Sequence, residues 1–346
     1  MSSLSVNLNA ARLDIHVRAS PVAEDAVQLG FDHIPVIDLE PAFAPDGNLA
    51  EVAQALDKAC REVGFFYIKN HHVDPEIIDR AQAAMVAFFD LPLAEKMKVY
   101  LKNSPNHRGY LPMQELASGA SLRLDMQEGY EIAEDLPEDD PDFLAGNKMF
   151  GPNVYPDSLP EFRQAFDAYF EAIAHLSRTL YRVIAIALHL PADFFDDKLT
   201  KPLNRIRLIC YPSLSEPFDP QTLSINPHTD FEIFTILWQN NVAGLQVLNP
   251  SGQWIAAPPI PGTFVVNIGD LLARWTNDLY LSTVHRVINQ SGQIRYSIPM
   301  FCGPNAETEI RCFDSCQTPE SPPKYAPVTA GDWTLKRVNT VYQYDS

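Results

Sequence analysis

The segment "STVHRVINQSGQIRYSIPMFCGP", residues 282–304, contains two short runs rich in β-branched and aromatic residues, separated by a stretch with Ser and Gly. Runs of this length bounded by Asn, Gly and Pro are typical of β-strands. Five runs of the same kind precede it after residue 200: "RIRLICYP", "FTILWQ", "GLQVLN", "QWIAAPP" and "TFVVNIGD". Seven or more short strands in succession predict a β-sandwich or barrel of jelly-roll type.

The first half of the chain has a different, helical pattern. Apolar residues recur at helical spacing in "NLAEVAQALDKACREVG" and again in residues 158–191, which we expect to form the longest helix. No linker rich in Gly and Ser separates the halves, and no internal repeat is visible. We therefore predict an α+β protein with one domain, 31–346: a mainly helical part (31–200) packed outside a jelly-roll core (201–305), and a C-terminal segment (306–346). Residues 1–30 are expected to be a partly disordered extension.

Composition limits the classes of partner. The chain has 346 residues, a formal net charge of -18 and a pI near 4.8, which argues against binding to nucleic acid or anionic lipid. It lacks a signal peptide and any apolar run of about 18 residues, so we expect a cytoplasmic protein without membrane association. No obligate protein partner is evident. Residues 125–142 carry nine acidic residues and no basic one, a pattern interpreted as a solvated loop.

Two His-x-Asp triplets are candidate metal sites. In "HHVDP", Asp74 precedes Pro75 at the start of a predicted helix and is needed as its N-cap, so His72 and Asp74 are not expected to bind a metal. In "INPHTDFEIF", residues 225–234, His228 and Asp230 lie in the half of the chain that is predicted to form strands. Residues i and i+2 of a strand point to the same face, roughly 6.5–7 Å apart, so these two side chains can share one ion.

A third ligand is predicted from another strand. His285 lies in "STVHRVIN" and completes a set of two imidazoles and one carboxylate. This set is the facial triad of non-haem Fe(II) oxygenases, which leaves three coordination positions open. A zinc hydrolase would accept the same ligands, so ligand type alone leaves the metal undecided.

An anion site is predicted on the following strand. In "RYSIPMF", Arg295 and Ser297 share one face by the same alternation. An arginine that points into a barrel requires an anionic partner, and its planar guanidinium matches a carboxylate. Tyr211, on "RIRLICYP", is a candidate third donor from across the barrel. The alternative for Arg295 is a salt bridge to an acidic residue of the protein.

Several motifs together resemble the isopenicillin N synthase-like branch of the 2-oxoglutarate/Fe(II)-dependent oxygenases. They are "HTD" at 228–230, "GLQV" at 244–247, "NIGDLLARWTND" at 267–278, "STVHRV" at 282–287 and "RYSIPMF" at 295–301, preceded by "IPVIDL", "GFFYIKNH", "HRGY" and "EGYEI". The resemblance implies a double-stranded β-helix with His228, Asp230 and His285 as iron ligands. It also implies that Arg295 and Ser297, helped by Tyr211, hold the distal carboxylate of 2-oxoglutarate. Ile209 departs from the asparagine usual in plant members, which puts polar contacts near the metal-bound end of the co-substrate in doubt.

The resemblance also implies a reaction. Fe(II), O2 and 2-oxoglutarate would oxidise a small molecule by hydroxylation, desaturation or cyclisation, with release of succinate and CO2. Two alternatives remain: an oxidase of the same fold that does not use 2-oxoglutarate, and a binding protein with an inactive barrel. For the pocket, the apolar candidates, for which core packing is the alternative role, are Phe231, Phe234, Trp275 and Phe301; the resemblance adds Arg108, Tyr110 and Tyr130.

Overall fold

The structure, a computed structural model, describes residues 31–44, 48–113, 125–213 and 224–342. The predicted extension 1–30 and the last four residues of the C-terminal segment lie outside the described residues. The helices are α1 (Glu40–Phe43), α2 (Leu49–Glu62), α3 (Pro75–Phe89), α4 (Leu93–Lys96), α5 (Pro141–Leu144), α6 (Pro160–Ala187), α7 (Asp270–Trp275) and α8 (Ala330–Tyr342). Short 3-10 turns cover Met97–Val99, Leu101–Asn103, Asp196–Lys198 and Asp314–Cys316.

The strands that the sequence pattern predicts after residue 200 all form. The full set is β1 (Val36–Asp38), β2 (Phe65–Lys69), β3 (Gly109–Leu111), β4 (Glu128–Ala133), β5 (Arg205–Tyr211), β6 (Ile225–His228), β7 (Phe234–Gln239), β8 (Leu245–Leu248), β9 (Trp254–Ala256), β10 (Thr263–Ile268), β11 (His285–Val287), β12 (Arg295–Cys302), β13 (Glu309–Ile310) and β14 (Val328–Thr329).

These strands build two main sheets. The large sheet has the order β1-β2-β10-β7-β12-β5-β4-β3 and is antiparallel except for the β1–β2 pair; the small sheet has the order β6-β11-β8-β9. Strands distant in sequence are neighbours in both sheets, as in a jelly roll. The predicted α+β class with a jelly roll and N-terminal helices outside it is confirmed.

Side-chain alternation gives the large sheet two distinct faces. On β2, Phe66 and Ile68 belong to the larger core, which includes the buried residues of α2, α3 and α6. Phe65 and Tyr67 point the other way, into a smaller apolar cluster shared with the small sheet. We call these the helix face and the inner face. The functional site described below lies on the inner side.

Local signals in the first half are confirmed. The predicted longest helix forms as α6, and the apolar residues at helical spacing lie on its packed side: Phe162, Phe166, Ile173, Leu180 and Ile184 are buried and Phe170 is half-buried. Asp74 caps α3 by accepting a hydrogen bond from the Glu76 backbone N–H at 2.9 Å. His72 instead contacts Glu40 at the surface. The His72-x-Asp74 triplet is therefore a helix start. In the part of the chain that the structure describes, none of the helices has the length and hydrophobicity needed to cross a bilayer.

The interpretation of residues 125–142 as a solvated loop is wrong for their first half. Residues Glu128–Ala133 form β4, a buried strand of the large sheet. Four carboxylates of this segment form salt bridges with Lys or Arg side chains that are distant in the sequence. Composition alone does not reveal such partners. The pairs are Glu128 with Lys96, Glu131 with Arg207, Asp135 with Arg163, and Asp140 with Lys201.

Gly64, between α2 and β2, provides a test of this packing. Its φ is +72°, and a Cβ built there would lie 2.2 Å from the Leu281 carbonyl oxygen. We expect Gly64→Ala to lower the unfolding free energy by more than the ~1–2 kcal/mol that a left-handed alanine costs. Gly146→Ala is the matched control, because its φ is +79° but no atom lies within 4 Å. Equal losses in urea unfolding would contradict the steric argument.

Candidate active site

The structure brings the three predicted metal ligands together. His228 ends β6, Asp230 follows it, and His285 begins β11 directly opposite His228 in the strand register. The Oδ1 atom of Asp230 lies 3.8 Å from Nε2 of His228 and 3.8 Å from Nε2 of His285. One ligand atom from each residue lies within 4.8 Å of the other two. These three side chains can therefore share one ion.

Hydrogen bonds fix the direction of each ligand atom. Nδ1 of His228 lies 2.8 Å from the Asn226 carbonyl oxygen, and Nδ1 of His285 lies 3.2 Å from that of Thr283. Because a carbonyl oxygen only accepts, both Nδ1 atoms carry the proton and both Nε2 lone pairs face Asp230. The histidines are thus in the tautomer that a metal requires.

Asp230 is oriented by two residues, Thr235 and Asn267, that the sequence patterns did not predict as part of the site. Its Oδ2 accepts hydrogen bonds from Thr235 Oγ1 at 2.5 Å and from Asn267 Nδ2 at 2.7 Å, which leaves Oδ1 directed at the histidines. Thr235 lies on β7 and Asn267 on β10. Both are polar residues on the inner face of otherwise apolar strands, and that alternation was the available signal.

Charge on the ligands also suits a divalent cation. Burial opposes ionisation of Asp230, but His285, His228 and the two hydrogen bonds outweigh it and lower the pKa of this carboxyl. Burial, together with the neighbouring His228, lowers the pKa of His285 to about 4. At neutral pH the site therefore offers a carboxylate and a neutral imidazole, the forms that bind metals.

The low pKa of His285 predicts a pH-dependent stability difference. The unfolded chain binds a proton on this histidine below about pH 6.5, whereas the folded metal-free protein does not until about pH 4. Stability contributed by neutral His285 is therefore lost as pH falls from 6.5 towards 4. In urea unfolding with a chelator present, we expect the stability of the wild type relative to His285→Asn to decline across that window. A difference that does not vary with pH would contradict the assignment.

Arg295 and its predicted companions form a second group of polar residues on the inner face. Arg295 is 0% exposed, and its Nη2 donates to Gln239 Oε1 at 2.9 Å. Its guanidinium carbon lies 4.7 Å from the centre of the Tyr211 ring, and Tyr211 Oη lies 3.2 Å from Ser297 Oγ. The structure thus brings Arg295, Ser297 and Tyr211 together.

The Arg295 guanidinium has unused donors. Within the described residues, its buried Nε and Nη1 have no hydrogen-bond partner and no carboxylate forms an ion pair with it. Gly244 leaves room beside it, since a Cβ there would lie 3.1 Å from Arg295 Cδ. A buried cation with two nitrogen donors left without a partner is costly in the absence of an anion. The arrangement therefore fits a bound carboxylate, and the alternative of a salt bridge within the described chain is not observed.

Two of the predicted pocket residues are linked to the metal ligands by strand register or by sequence. Phe301 is on the inner face of β12, opposite Thr235 in the register, and is half-buried. The guanidinium carbon of Arg205 lies 5.1 Å from the centre of its ring. Phe231 directly follows Asp230 and is also half-buried. The inner-face position of Phe301 fits contact with a molecule near the metal, whereas the Phe231 ring lies 5.5 Å from the guanidinium carbon of Arg337 on α8.

The other pocket candidates are corrected by the structure. Strand alternation directs Tyr110, Tyr130 and Phe234 to the helix face, where Tyr130 packs on Phe88 and Phe162, and Phe234 packs on Tyr181. Trp275 stacks on Phe313 in the same core. Arg108 is buried, and its guanidinium donates to the Asn106 and Met149 carbonyl oxygens. The structure does not bring these residues to the metal ligands, because sequence identifies the segment but not the face.

Helix α8 supports the loop that carries Asp230. The indole N–H of Trp333 donates to the Phe231 carbonyl oxygen at 2.9 Å, and Arg337 donates to Asp270 Oδ2 at 3.0 Å. Asp270 in turn donates its backbone N–H to the Asp230 carbonyl oxygen at 2.8 Å. The C-terminal segment therefore holds the metal-binding loop from outside, a role that no sequence pattern indicated.

Comparison with known proteins decides the family. Residues 203–304 match the model of the 2OG-Fe(II) oxygenase superfamily, and residues 34–158 match the model described as non-haem dioxygenase in morphine synthesis N-terminal. The chain belongs to the 2OG-Fe(II) oxygenase superfamily. The matched ranges contain all three candidate iron ligands and the Arg295 group, so the resemblance seen in the sequence motifs is confirmed.

Individual relatives agree with this oxygenase assignment. The chain is 38% identical over 329 residues to the 2-oxoglutarate-Fe(II) type oxidoreductase ppzC of Metarhizium majus, covering 89% of this chain and 87% of that protein. It is 33% identical to a full-length Neurospora crassa protein solved in complex with alpha-KG, with a TM-score of 0.78 and coverage of 90% and 96%. It is 31% identical to JOX2 in complex with 2OG, Fe and JA, with a TM-score of 0.72 and coverage of 88% and 84%.

The oxygenase uses Fe(II), 2-oxoglutarate and O2, as predicted. The relatives carry this chemistry in their names, and two solved neighbours hold the co-substrate. The alternative of an oxidase that does not use 2-oxoglutarate is not favoured. The enzyme is thus a 2-oxoglutarate/Fe(II)-dependent dioxygenase that acts on a small molecule.

Proposed function

We propose that this dioxygenase binds Fe(II) through His228, Asp230 and His285 and 2-oxoglutarate through Arg295, Ser297 and Tyr211. The observation that carries the assignment of the 2-oxoglutarate site is the buried Arg295 guanidinium, whose Nε and Nη1 have no hydrogen-bond partner among the residues that the structure describes. When bound, iron and co-substrate would supply, with O2 as the oxidant, an oxidative decarboxylation that yields succinate and CO2 and oxidises a C–H bond of the substrate.

The role of Arg295 follows from its contacts. Gln239 and the Tyr211 ring hold the guanidinium in place, so its unused nitrogen donors are fixed before a ligand arrives. A distal carboxylate would accept from unused N–H groups on one edge of this guanidinium, and the Ser297 hydroxyl would add a further donor. Ile209, next to Ser297 in the register, offers no hydrogen bond. Among the described residues, recognition of the distal carboxylate therefore depends on the Arg295 group.

The inner apolar cluster keeps water away from the reacting atoms. Phe65 contacts His285 edge to face, with ring centres 5.2 Å apart. Val247, Val287 and Leu245 are buried around the same strands. An oxidation of this power requires a dry site, because water would divert the reaction from the substrate. These side chains raise the strength of each charge interaction at the metal for the same reason.

We infer that the substrate lies against Phe301. Arg205 and Arg207 lie on the same inner wall by register, and each has an acidic partner, Glu232 and Glu131 respectively. Such a wall suits a small molecule with a flat apolar surface and polar edges. The relatives differ in the small molecules they bind or act on. One structure of the Neurospora crassa protein contains thymine, JOX2 contains JA, and a Glycine max relative is a homoarginine-6-hydroxylase.

Succinate release tests the proposed function. The protein with Fe(II), O2 and 2-oxoglutarate should form succinate, faster with an accepted compound from a panel that begins with thymine, JA and homoarginine. Formation should depend on added Fe(II) and should fall sharply in the Arg295→Ala variant. A folded protein that forms no succinate with or without any panel compound contradicts the proposal.

Phe301 has its own prediction. We expect Phe301→Ala to raise the KM for an accepted substrate by about tenfold, since an aromatic contact is worth roughly 0.5–1.5 kcal/mol beyond its buried area. The KM for 2-oxoglutarate should not change. Phe234→Ala is the control, because this residue packs on the helix face against Tyr181. It should reduce stability and leave the substrate KM unchanged; similar KM changes in both variants would contradict the assigned position of the substrate.

A further inference from the structure

Strand β6, which carries His228, does not pair regularly with β11. His228 lies opposite His285, but Ile225 lies opposite Val287, so three steps along β6 match two along β11. The extra residue makes a β-bulge, which interrupts the ladder of hydrogen bonds. Pro227 lies inside it and has no N–H to donate. The end of β6 therefore needs support from outside the small sheet.

Asp125 supplies that support. This carboxylate is 0% exposed, and its Oδ1 accepts from the Asn226 backbone N–H at 3.0 Å and from Asn226 Nδ2 at 2.7 Å. Gln127 Nε2 contacts its Oδ2 at 3.4 Å. The backbone donor that the bulge removes from the ladder is thus satisfied by a side chain from the segment before β4. Buried donors of this kind are costly when left unpaired.

Asn226 also connects Asp125 to His228, the proposed iron ligand. The carbonyl oxygen of Asn226 accepts the Nδ1 proton of His228 at 2.8 Å. Asp125 fixes Asn226 at its N–H and amide, and Asn226 fixes the imidazole at its carbonyl. We propose that Asp125 is a positioning residue for the iron ligand His228, acting through Asn226. This inference rests on the proposed function, because it takes His228 to be an iron ligand.

Metal affinity is the first readout. Loss of an outer-shell partner typically weakens metal binding about 10–100-fold, and we expect a change in this range for Asp125→Ala in anaerobic calorimetric titration with Fe(II). Asp125→Asn should fall between this variant and the wild type, because an amide oxygen still accepts from Asn226. If Asp125→Ala does not fold, Asp125→Asn carries the test. Unchanged Fe(II) affinity in the folded variants overturns the inference.

Glu128→Gln is the matched control for general destabilisation. Glu128 is a carboxylate of the same segment, but its partners are Lys96 at 2.7 Å and Tyr110 on the helix face. Its replacement should lower the unfolding free energy and leave Fe(II) affinity within about twofold of the wild type. A loss of affinity equal to that of Asp125→Asn would mean that the effect reflects stability alone, which overturns the inference.

A double-mutant cycle separates positioning from other effects. If Asp125 acts through the His228 ring, adding Asp125→Ala to His228→Ala should weaken the remaining Fe(II) binding by less than about twofold. An undiminished effect in that background contradicts the route through His228. Failure of the wild type to bind Fe(II) would instead overturn the proposed function. Loss of binding in His228→Ala with full binding in Asp125→Ala would overturn only the positioning role.

Discussion

Asp230→Ala is expected to reduce substrate-dependent succinate formation to background and to abolish Fe(II) binding at micromolar concentrations. Asp230 provides the anionic ligand, and its Oδ1 lies 3.8 Å from both histidine Nε2 atoms. The loss should exceed the about 10–100-fold cost of removing an outer-shell partner. The fold should survive, since only Thr235 and Asn267 lose an acceptor. Activity and calorimetric titration measure the two effects.

The second His-x-Asp triplet supplies the control. Asp74→Ala removes an N-cap and should lower stability by about 1 kcal/mol without changing Fe(II) binding. Turnover retained by Asp230→Ala, or equal loss in both variants, would remove the triad assignment.

Arg295→Ala is expected to raise the KM for 2-oxoglutarate by roughly 10–150-fold, since hydrogen bonds to a charged group are worth about 1.5–3 kcal/mol. Fe(II) affinity without co-substrate should be retained, because in the described residues no contact joins Arg295 to the three ligands. Steady-state kinetics at saturating substrate measures the KM for 2-oxoglutarate, and calorimetric titration measures the Fe(II) affinity.

Arg286→Ala is a matched control for this arginine. Arg286 also donates to a glutamine, Gln246, and lies over an aromatic ring, that of Trp254. It neighbours His285 in sequence but points to the opposite side of β11. Its replacement should leave the 2-oxoglutarate KM within about twofold of the wild type. If the KM for 2-oxoglutarate is unchanged in Arg295→Ala, the Arg295 guanidinium has a structural role instead.

The sequence predicts the proposed metal ligands but not the residues that hold those ligands in position. His228 and Asp230 can be predicted from the sequence, because alternation along one strand places residues i and i+2 on one face. The supporting roles of Thr235, Asn267 and Asp125 cannot, because these roles depend on which strands are neighbours. Strand order in a jelly roll is set by long-range pairing that no local pattern encodes.

The errors have a related cause. Tyr110 and Tyr130 lie in segments that resemble those of other oxygenases, yet both rings point to the helix face because β3 and β4 pair in the register Tyr110 with Tyr130. A shift of one residue would have reversed the face. The acidic segment was interpreted from composition, whereas two of its cationic partners, Lys201 and Arg207, are 61 and 76 positions away in the sequence.

An anaerobic titration tests the central claim most directly. Metal-free protein would receive Fe(II) and then 2-oxoglutarate, with the visible charge-transfer band of the iron chelate as the signal. The proposed site predicts a band in the wild type, no band in Asp230→Ala, and a band only at much higher 2-oxoglutarate in Arg295→Ala. Iron binding without a band at any co-substrate concentration in the wild type would contradict it.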